Sequence, residues 1–289
     1  MNALITGDTG FIGRNLRRFL EGKGVQVTGY SKSFGSDIFD FEKLAAQVED
    51  CDIVFHCAAE AKPGESVLKP VHTININING SLNVLEACKK HSVPLVYPSS
   101  CEIYGNSNGL LEEKSPLNPT NPYAASKAAI DRFCYMYYHC YGLDVKIVRF
   151  FNPYGPYQQL TKIIPTFYFK AVKGEPLPVF GDGTDTRDYV YIDDIVRGLW
   201  LARNLSSGEA INLATEVATT NLDVARMIID ITNSKSKIEF LPYPRAFGGI
   251  KRQVGSYIKA KEFLGWEPKI KLEKGITETL NWLKNVKLN

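Results

Sequence analysis

The sequence lacks the cysteine patterns of disulfide-rich and zinc-binding proteins. None of its six cysteines forms a Cys-x-x-Cys pair, and most fall within apolar segments. Reduced thiols in such segments behave as small hydrophobic side chains, so we expect neither a disulfide framework nor a metal site. The cysteines are Cys51, Cys57, Cys88, Cys101, Cys134 and Cys140.

Long apolar runs and a large net charge are absent as well. Because no run of about 18 uncharged apolar residues occurs, no membrane span is predicted. The N-terminus passes directly into Ala3-Leu4-Ile5-Thr6-Gly7, without the basic and apolar regions of a secretory signal, so a cytoplasmic protein is expected. The 34 basic and 31 acidic residues leave a net charge of +3, too small for a protein that binds nucleic acid through its phosphates. A local anion pocket is still compatible with that charge.

The first half of the 289-residue chain alternates short β-branched runs with longer segments of helical period. This alternation predicts parallel strands joined by crossover helices, that is, an α/β fold with a Rossmann-type, doubly wound parallel sheet. Strands are predicted at 2–6, 25–30, 53–55, 95–97 and 145–148, and helices at 80–91 and 123–141, with a further helix after residue 10 that ends at Gly22.

The composition shifts toward proline, glycine and aromatic residues after Pro153. We therefore predict a dinucleotide-binding Rossmann domain over residues 1–152. A smaller C-terminal α/β substrate-binding part is expected over 153–185 and 215–289. Residues 186–214 again resemble a strand followed by a helix and are expected to return to the main sheet.

Three glycines with the spacing Gly7-x-x-Gly10-x-x-Gly13 lie between the first predicted strand and the first predicted helix. Glycines allow a tight turn and a close approach of the backbone, and a helix N-terminus offers N–H donors to a pyrophosphate. Elsewhere the same spacing would be an ordinary turn, but in this context it predicts dinucleotide binding. Since ligands of open α/β sheets lie beyond the carboxyl ends of the strands, residues 7–10, 56–60, 99–102 and 151–153 are expected to meet in one crevice.

The end of the second predicted strand bears on the choice of cofactor. NAD sites usually place an acidic residue there for the ribose 2′-hydroxyl, whereas this chain has Ser31 and Lys32. A hydroxyl and an ammonium suit a 2′-phosphate, which leaves NADP open beside NAD, and Lys32 is also compatible with a solvated loop lysine. Asp37 and Ile38 are candidates for contact with the adenine, although Asp37 fits a plain turn nearly as well.

A tyrosine and a lysine four residues apart follow an N-cap and a proline in Asn121-Pro122-Tyr123, so Tyr123 and Lys127 share one helix face. A nearby ammonium favours tyrosinate and lowers a phenol pKa from about 10, toward a range where the phenol exchanges a proton with a sugar hydroxyl. Most such pairs are only surface neighbours. Ser99 and Ser100, at the end of the preceding strand, together with the glycine loop, favour the catalytic interpretation.

Several motifs together resemble the extended short-chain dehydrogenase/reductases, specifically the nucleotide-sugar epimerase/dehydratase branch. The resemblance spans nearly the whole chain, in order. It is carried by Gly7 to Gly13, Ser100, Tyr123 to Lys127, Arg149 to Gly155, Thr186 to Asp194, and Lys259 to Trp266.

The resemblance implies roles for individual residues. Tyr123 would be the acid/base on the sugar O4, Lys127 would tune it and hold the nicotinamide ribose, and Ser100 would hydrogen-bond O4. Asn152 and Arg187 would bind the diphosphate of the substrate, although Arg187 is also compatible with a salt bridge to Asp188 or Asp193. Arg245 is a further cationic candidate, with Lys251 and Arg252 close enough to compete. The cofactor, NAD or NADP, would be tightly bound, recycled at each turnover and contacted by Gly7, Thr9, Gly10, Phe11, Ile12, Gly13, Ser31, Lys32, Asp37, Ile38, Ala58, Tyr123 and Lys127.

The residues after Ser100 distinguish the reactions of this branch. Members that only invert C4 usually carry small or hydroxylic residues there. In 4,6-dehydratases the sequence at the positions of Ser100, Cys101 and Glu102 resembles Thr-Asp-Glu. Glu102 matches the base that removes the C5 proton, but Cys101 replaces the aspartic acid that protonates the departing C6 hydroxyl. A thiol is neutral at pH 7 and a weaker acid than a carboxyl, so a variant 5,6-elimination joins the usual 4,6-elimination as a hypothesis.

We therefore predict a nucleotide-sugar dehydratase acting on a UDP-hexose through a transient 4-keto intermediate. Three alternatives stay open: a UDP-hexose 4-epimerase, an NADPH-dependent 4-keto-sugar reductase and a non-catalytic relative. Cys101 is also compatible with a core thiol, and Glu102 with a residue that only binds a backbone N–H or a sugar hydroxyl. A homodimer that pairs helices 80–91 and 123–141 is expected from the resemblance.

Overall fold

A computed structural model of the chain describes residues 1–243 and 249–286. Over these residues the strands are β1 (Asn2–Thr6), β2 (Gln26–Tyr30), β3 (Ile53–His56), β4 (Leu95–Ser100), β5 (Val145–Phe150), β6 (Asn152–Tyr154), β7 (Leu177–Phe180), β8 (Thr186–Arg187), β9 (Tyr189–Tyr191), β10 (Ala210–Leu213), β11 (Thr219–Thr220), β12 (Ile238–Leu241) and β13 (Arg252–Gln253).

The α-helices of the described residues lie between the strands along the chain, and the last two follow β13. They are α1 (Phe11–Glu21), α2 (Phe41–Glu49), α3 (Pro63–Leu68), α4 (Pro70–Ile74), α5 (Gly80–His91), α6 (Pro122–Tyr141), α7 (Ile163–Val172), α8 (Ile192–Ala202), α9 (Asn221–Thr232), α10 (Ile258–Leu264) and α11 (Leu272–Leu283). Short 3₁₀ segments cover Lys32–Phe34 and Cys101–Tyr104, and a π-helical segment covers Asn75–Asn79.

The central sheet has six parallel strands in the order β10-β5-β4-β3-β1-β2. Its two faces carry separate hydrophobic cores, because alternate residues of a strand point to opposite faces. In β1, for example, Ala3 and Ile5 pack into one core and Leu4 into the other. Helices α1 and α8 pack together, as do α2 and α5, so the sheet is covered on both sides. The predicted Rossmann-type fold class is confirmed.

After β5 the chain builds a smaller region and then returns to the sheet. Strand β6 pairs with β9, β7 pairs with β12, and β8 pairs with β11 and β13. Strand β10 then adds to the edge of the central sheet beside β5, within the segment that was expected to return. The division of the chain into two domains remains a prediction.

One predicted element differs in detail. The strand expected after Thr186 is split into β8 and β9 at Asp188, whose side chain is buried. Its carboxylate accepts hydrogen bonds from the backbone N–H groups of Thr215, Glu216 and Gly255 and from the Thr215 hydroxyl. These bonds fix the backbone at Asp188, so the segment pairs first with β11 and β13 and then with β6. Among the described helices, none combines the length and apolar character needed to cross a membrane.

Candidate active site

A cleft of about 640 Å³ opens at the carboxyl ends of the central strands. A smaller hollow of about 280 Å³ adjoins it at the end of β2, and Gly7 and Gly10 line both. The four loops that were expected to converge all contribute to these walls. Of the predicted residues, the cleft is lined by Gly7, Gly10, Phe11, Ile12, Gly13, Ser100, Cys101, Glu102, Tyr123, Lys127, Asn152 and Arg187. The hollow is lined by Gly7, Thr9, Gly10, Ser31, Lys32, Ile38 and Ala58.

The glycine loop is packed too tightly for side chains at two of its positions. Gly7 has a φ of +70°, and a Cβ there would lie 2.7 Å from Cα of Ala58. A Cβ on Gly13 would lie 2.3 Å from the Gly7 carbonyl oxygen. Helix α1 begins directly after Gly10, without a side-chain cap, and the residues of its first turn, Phe11, Ile12 and Gly13, line the cleft. This cradle fits the pyrophosphate of a dinucleotide.

Tyr123 and Lys127 lie on the first turns of α6, where both line the cleft. The helix begins where predicted because the Asn121 side chain accepts a hydrogen bond from the Ala124 N–H at 2.8 Å and proline follows it. The Lys127 ammonium donates to the Pro98 carbonyl and lies 4.2 Å from the centre of the Tyr97 ring. Burial lowers the pKa of Lys127 to about 8.

The Tyr123 phenol has a raised pKa in this structure. Burial is the main cause, the charge of Glu102 adds to it, and a hydrogen bond with the Ser100 side chain opposes it. The expected lowering of this pKa by Lys127 is therefore wrong for this structure. The physical reason is that desolvation of the phenolate dominates, while the ammonium is held by Pro98 and Tyr97.

Glu102 projects into the cleft from the 3₁₀ segment that follows β4. The Ser100 hydroxyl caps this segment by accepting a hydrogen bond from the Glu102 N–H at 3.2 Å. One carboxylate oxygen, Oε2, accepts a hydrogen bond from the Asn121 side-chain amide at 2.8 Å. Burial raises the pKa of Glu102, and the Asn121 bond and the charges of Lys162 and Arg187 oppose the rise. The carboxyl is thus a stronger base than an ordinary glutamate.

Cys101 lies beside Glu102 with only 3% of its surface exposed. Its thiol donates to Gln253 Oε1 at 3.1 Å, while Gln253 Nε2 donates to the carbonyls of Cys101 and Gly105. Burial raises the pKa of the Cys101 thiol. The thiol is consequently protonated at neutral pH and is held at the cleft wall by a glutamine from the C-terminal region.

The cationic residues predicted for the diphosphate differ in their surroundings. Arg187 donates to the carbonyls of Thr186 and Ile250 at 2.9 and 3.0 Å. Within residues 1–243 and 249–286, no carboxylate lies within salt-bridge distance of its guanidinium, so the alternative pairing with Asp188 or Asp193 is not observed there. Asn152 donates to the Asp188 carbonyl at 3.3 Å. Arg245 lies outside the described residues. Lys251 pairs with Asp185 at 3.3 Å, and Arg252 donates to the Asn108 carbonyl at 3.3 Å.

Comparison with known proteins identifies the family. The model of the NAD dependent epimerase/dehydratase family matches residues 3–214. The chain belongs to this family. The predicted resemblance is confirmed, and the cofactor of the family is NAD.

Relatives of this family include enzymes of more than one reaction type. The chain is 34% identical to the UDP-glucuronate 4-epimerase of Thermodesulfobacterium geofontis, with 99% of this chain and 97% of the relative covered. It is 30% identical to the dTDP-glucose 4,6-dehydratase of Streptomyces antibioticus, with 99% and 93% covered. The crystal structure of Thermus thermophilus UDP-glucose 4-epimerase in complex with NAD superimposes with a TM-score of 0.92 at 29% identity, covering 99% of this chain and all of that one. The protein is thus an enzyme of a nucleotide-sugar family that contains both epimerases and dehydratases.

Two features of this epimerase/dehydratase site escaped the sequence analysis. Lys162 lines the cleft, and burial lowers its pKa, but a lysine before an apolar helix gives no local signal that distinguishes it from a solvated loop residue. Asn121 was recognised as a helix cap, whereas its second hydrogen bond, to Glu102, joins residues 19 positions apart. Within the described residues, no group of three or more His, Cys, Asp or Glu side chains is arranged to hold a metal ion.

Proposed function

We propose that the protein is a nucleotide-sugar dehydratase that acts through a transient 4-keto intermediate. The observation that carries this proposal is the position of Glu102. A half-buried carboxylate of raised pKa lies in the cleft beside the Tyr123–Ser100 pair and is oriented by Asn121. A 4-epimerase needs no additional base, whereas removal of a proton from C5 does.

The proposed first step concerns the sugar O4. When bound, the cofactor supplies a hydride acceptor with a positively charged ring, so that the sugar is a ketone during part of each turnover. Tyr123 takes the O4 proton, and the Ser100 hydroxyl, already bonded to the phenol, also hydrogen-bonds O4. Lys127 supplies a positive charge within the same wall, since a pKa of about 8 leaves it mainly protonated at neutral pH.

Elimination follows on the ketone, which acidifies the C5 hydrogen. Glu102 removes the C5 proton, the electrons of the C5–H bond form a double bond to C6, and the C6–O bond breaks. Cys101 donates its proton to the departing hydroxyl, which leaves as water. To do so the thiol must exchange Gln253 for the substrate oxygen. The 4,6- and 5,6-outcomes differ only in whether C6 or C4 is finally reduced.

The substrate is proposed to be a UDP-linked hexose. Arg187 and Asn152 both line the cleft, and within the described part of the chain no carboxylate pairs with Arg187. A guanidinium without a carboxylate partner can form charge-assisted hydrogen bonds with a diphosphate. UDP is favoured because the relative with 34% identity is named as an enzyme of a UDP-sugar, the UDP-glucuronate 4-epimerase.

A 4-epimerase is the second candidate, and one observation favours it. The UDP-glucuronate 4-epimerase is more similar to this chain than the dTDP-glucose 4,6-dehydratase, at 34% against 30% identity. In that case Glu102 would bind a sugar hydroxyl rather than remove a proton.

The test is incubation of the purified protein with a panel of UDP- and dTDP-hexoses, followed by mass spectrometry of the products. A product lighter by one water supports the dehydratase, whereas a product of unchanged mass that separates from the substrate by chromatography overturns it in favour of the epimerase. Tyr123→Phe is the matched loss-of-function control, because it removes one hydroxyl from the site and should abolish either product. Turnover without added cofactor separates both candidates from a reductase, which would consume NADPH.

A further inference from the structure

The hollow at the end of β2 lacks the acidic residue with which dinucleotide-binding folds usually contact the adenosine ribose. Strand β2 ends at Tyr30 and is followed by Ser31, Lys32 and Ser33. A carboxylate at this point hydrogen-bonds the 2′-hydroxyl of NAD, and it would repel the 2′-phosphate of NADP. Here that source of repulsion is absent from the strand end.

Hydroxyl groups from two chain segments meet at this point instead. Thr9 of the glycine loop donates to the Ser31 hydroxyl at 3.4 Å, and its hydroxyl lies 3.3 Å from that of Ser33. Thr9, Ser31 and Ser36 all line the hollow, and Ser31 is 8% exposed. Each hydroxyl can turn its proton toward a phosphate oxygen, so the cluster is a set of neutral donors on the wall next to the glycine loop.

Lys32 adds a positive charge to the same wall. Its ammonium lies 3.2 Å from Asp37 Oδ2, but its side chain is 66% exposed. An exposed ion pair of this kind contributes little, so Lys32 can be drawn to a phosphate dianion. Asp37 is held in a turn by the Phe39 N–H at 3.1 Å and does not line the hollow.

The remaining acidic residues near the hollow do not take the place of the missing one. Asp8 is paired with Arg17 at 3.1 Å and lines neither the hollow nor the cleft. Glu60 is the one acid among the described residues that lines the hollow, but it follows β3 rather than β2. The pKa of Lys62 is raised by its hydrogen bond with Glu65 and, next, by the charge of Glu60, so this lysine lies near Glu60 as well.

We propose that this hollow recognises an adenosine 2′-phosphate through Lys32, Ser31 and Thr9, so that the chain binds NADP in preference to NAD. The inference concerns the adenosine end of the cofactor. It is independent of whether the sugar reaction is a dehydration or an epimerisation.

The test uses the purified full chain and does not depend on activity. The protein is dialysed to equilibrium against an equimolar mixture of NAD⁺ and NADP⁺, and the bound nucleotides are extracted and counted by mass spectrometry. The wild type should retain NADP in at least about tenfold excess, the size expected for charge-assisted hydrogen bonds. Lys32→Ala should lower the bound NADP-to-NAD ratio by about tenfold, and Ser31→Asp should invert it by placing a carboxylate at the end of β2.

Lys23→Ala is the matched control, because it removes an exposed lysine that lines neither the hollow nor the cleft. Its ratio should equal that of the wild type. Retention of NAD in excess by the wild type would overturn the proposal. Equal ratios in Lys32→Ala and the wild type would also overturn it, because the phosphate would then be recognised elsewhere.

Discussion

The Asn121 side chain both caps helix α6 and hydrogen-bonds the Glu102 carboxylate, and a single substitution can remove the second contact alone. Its side-chain oxygen caps the helix through the Ala124 N–H, and its amide donates to Glu102 Oε2, both at 2.8 Å. Serine caps helices about as well as asparagine but carries no amide to reach Glu102. Asn121→Ser should therefore keep the helix and remove the contact with the carboxylate.

The expected loss follows from the kind of bond removed. A hydrogen bond to a charged group contributes about 1.5–3 kcal/mol. Without the bond a smaller fraction of Glu102 is ionised below its pKa. Since each 1.36 kcal/mol is a factor of about ten in that fraction, exchange of the C5 proton at low pH should slow roughly 10- to 100-fold. The bond stabilises the carboxylate form and lowers the pKa of Glu102, so its loss should also move the rising limb of the pH profile to higher pH.

The assay is solvent deuterium uptake at C5 measured across pH, with thermal unfolding recorded in parallel. Asn121→Ala should show the same slowing and also lose about 1 kcal/mol of stability, because the cap is gone. Asp40→Ala is the matched control, since it removes the side-chain cap of α2 while lining neither pocket. It should lose similar stability with unchanged uptake. Wild-type uptake and an unshifted pH profile in Asn121→Ser would mean that the amide of Asn121 does not assist Glu102.

Three further predictions follow from the geometry of the cleft. The rate should rise with pH as Glu102 loses its proton and fall above pH 8 as Lys127, with a pKa of about 8, loses its own; a pH–rate profile that stays flat through pH 8 would contradict this. Gly13→Ala should abolish cofactor retention, because its Cβ would lie 2.3 Å from the Gly7 carbonyl oxygen. The control Gly109→Ala should retain the cofactor normally, since no atom lies within 4 Å of its added Cβ. The nucleotide extracted from each purified variant measures retention. Cys101→Ala should slow loss of water while leaving C5 exchange measurable, and unchanged dehydration with lower thermal stability would identify Cys101 as a core thiol only.

The sequence predicted the elements and loops that depend on local pattern. The glycine loop, the start of α6 and the range of α5 follow from spacing, caps and proline, which act over a few residues. The meeting of the loops in one cleft follows from parallel strand order alone.

Features set by distant contacts were not predictable in this way. The raised pKa of Tyr123 depends on burial by the whole fold, which spacing to Lys127 does not reveal. Gln253 holds Cys101 across 152 positions of sequence. Likewise, the interruption of the strand at Asp188 arises from partners near residues 215 and 255, none of which the local sequence identifies.

Glu102→Gln shows whether Glu102 is the base, because it keeps the size of the side chain and removes its basicity. The purified variant is mixed with the substrate in deuterium oxide, and the absorbance of the reduced nicotinamide and the deuterium at C5 are measured together. We expect the reduced nicotinamide still to form while C5 takes up no deuterium. Uptake at the wild-type rate would show that Glu102 is not the base and would contradict the proposed dehydration.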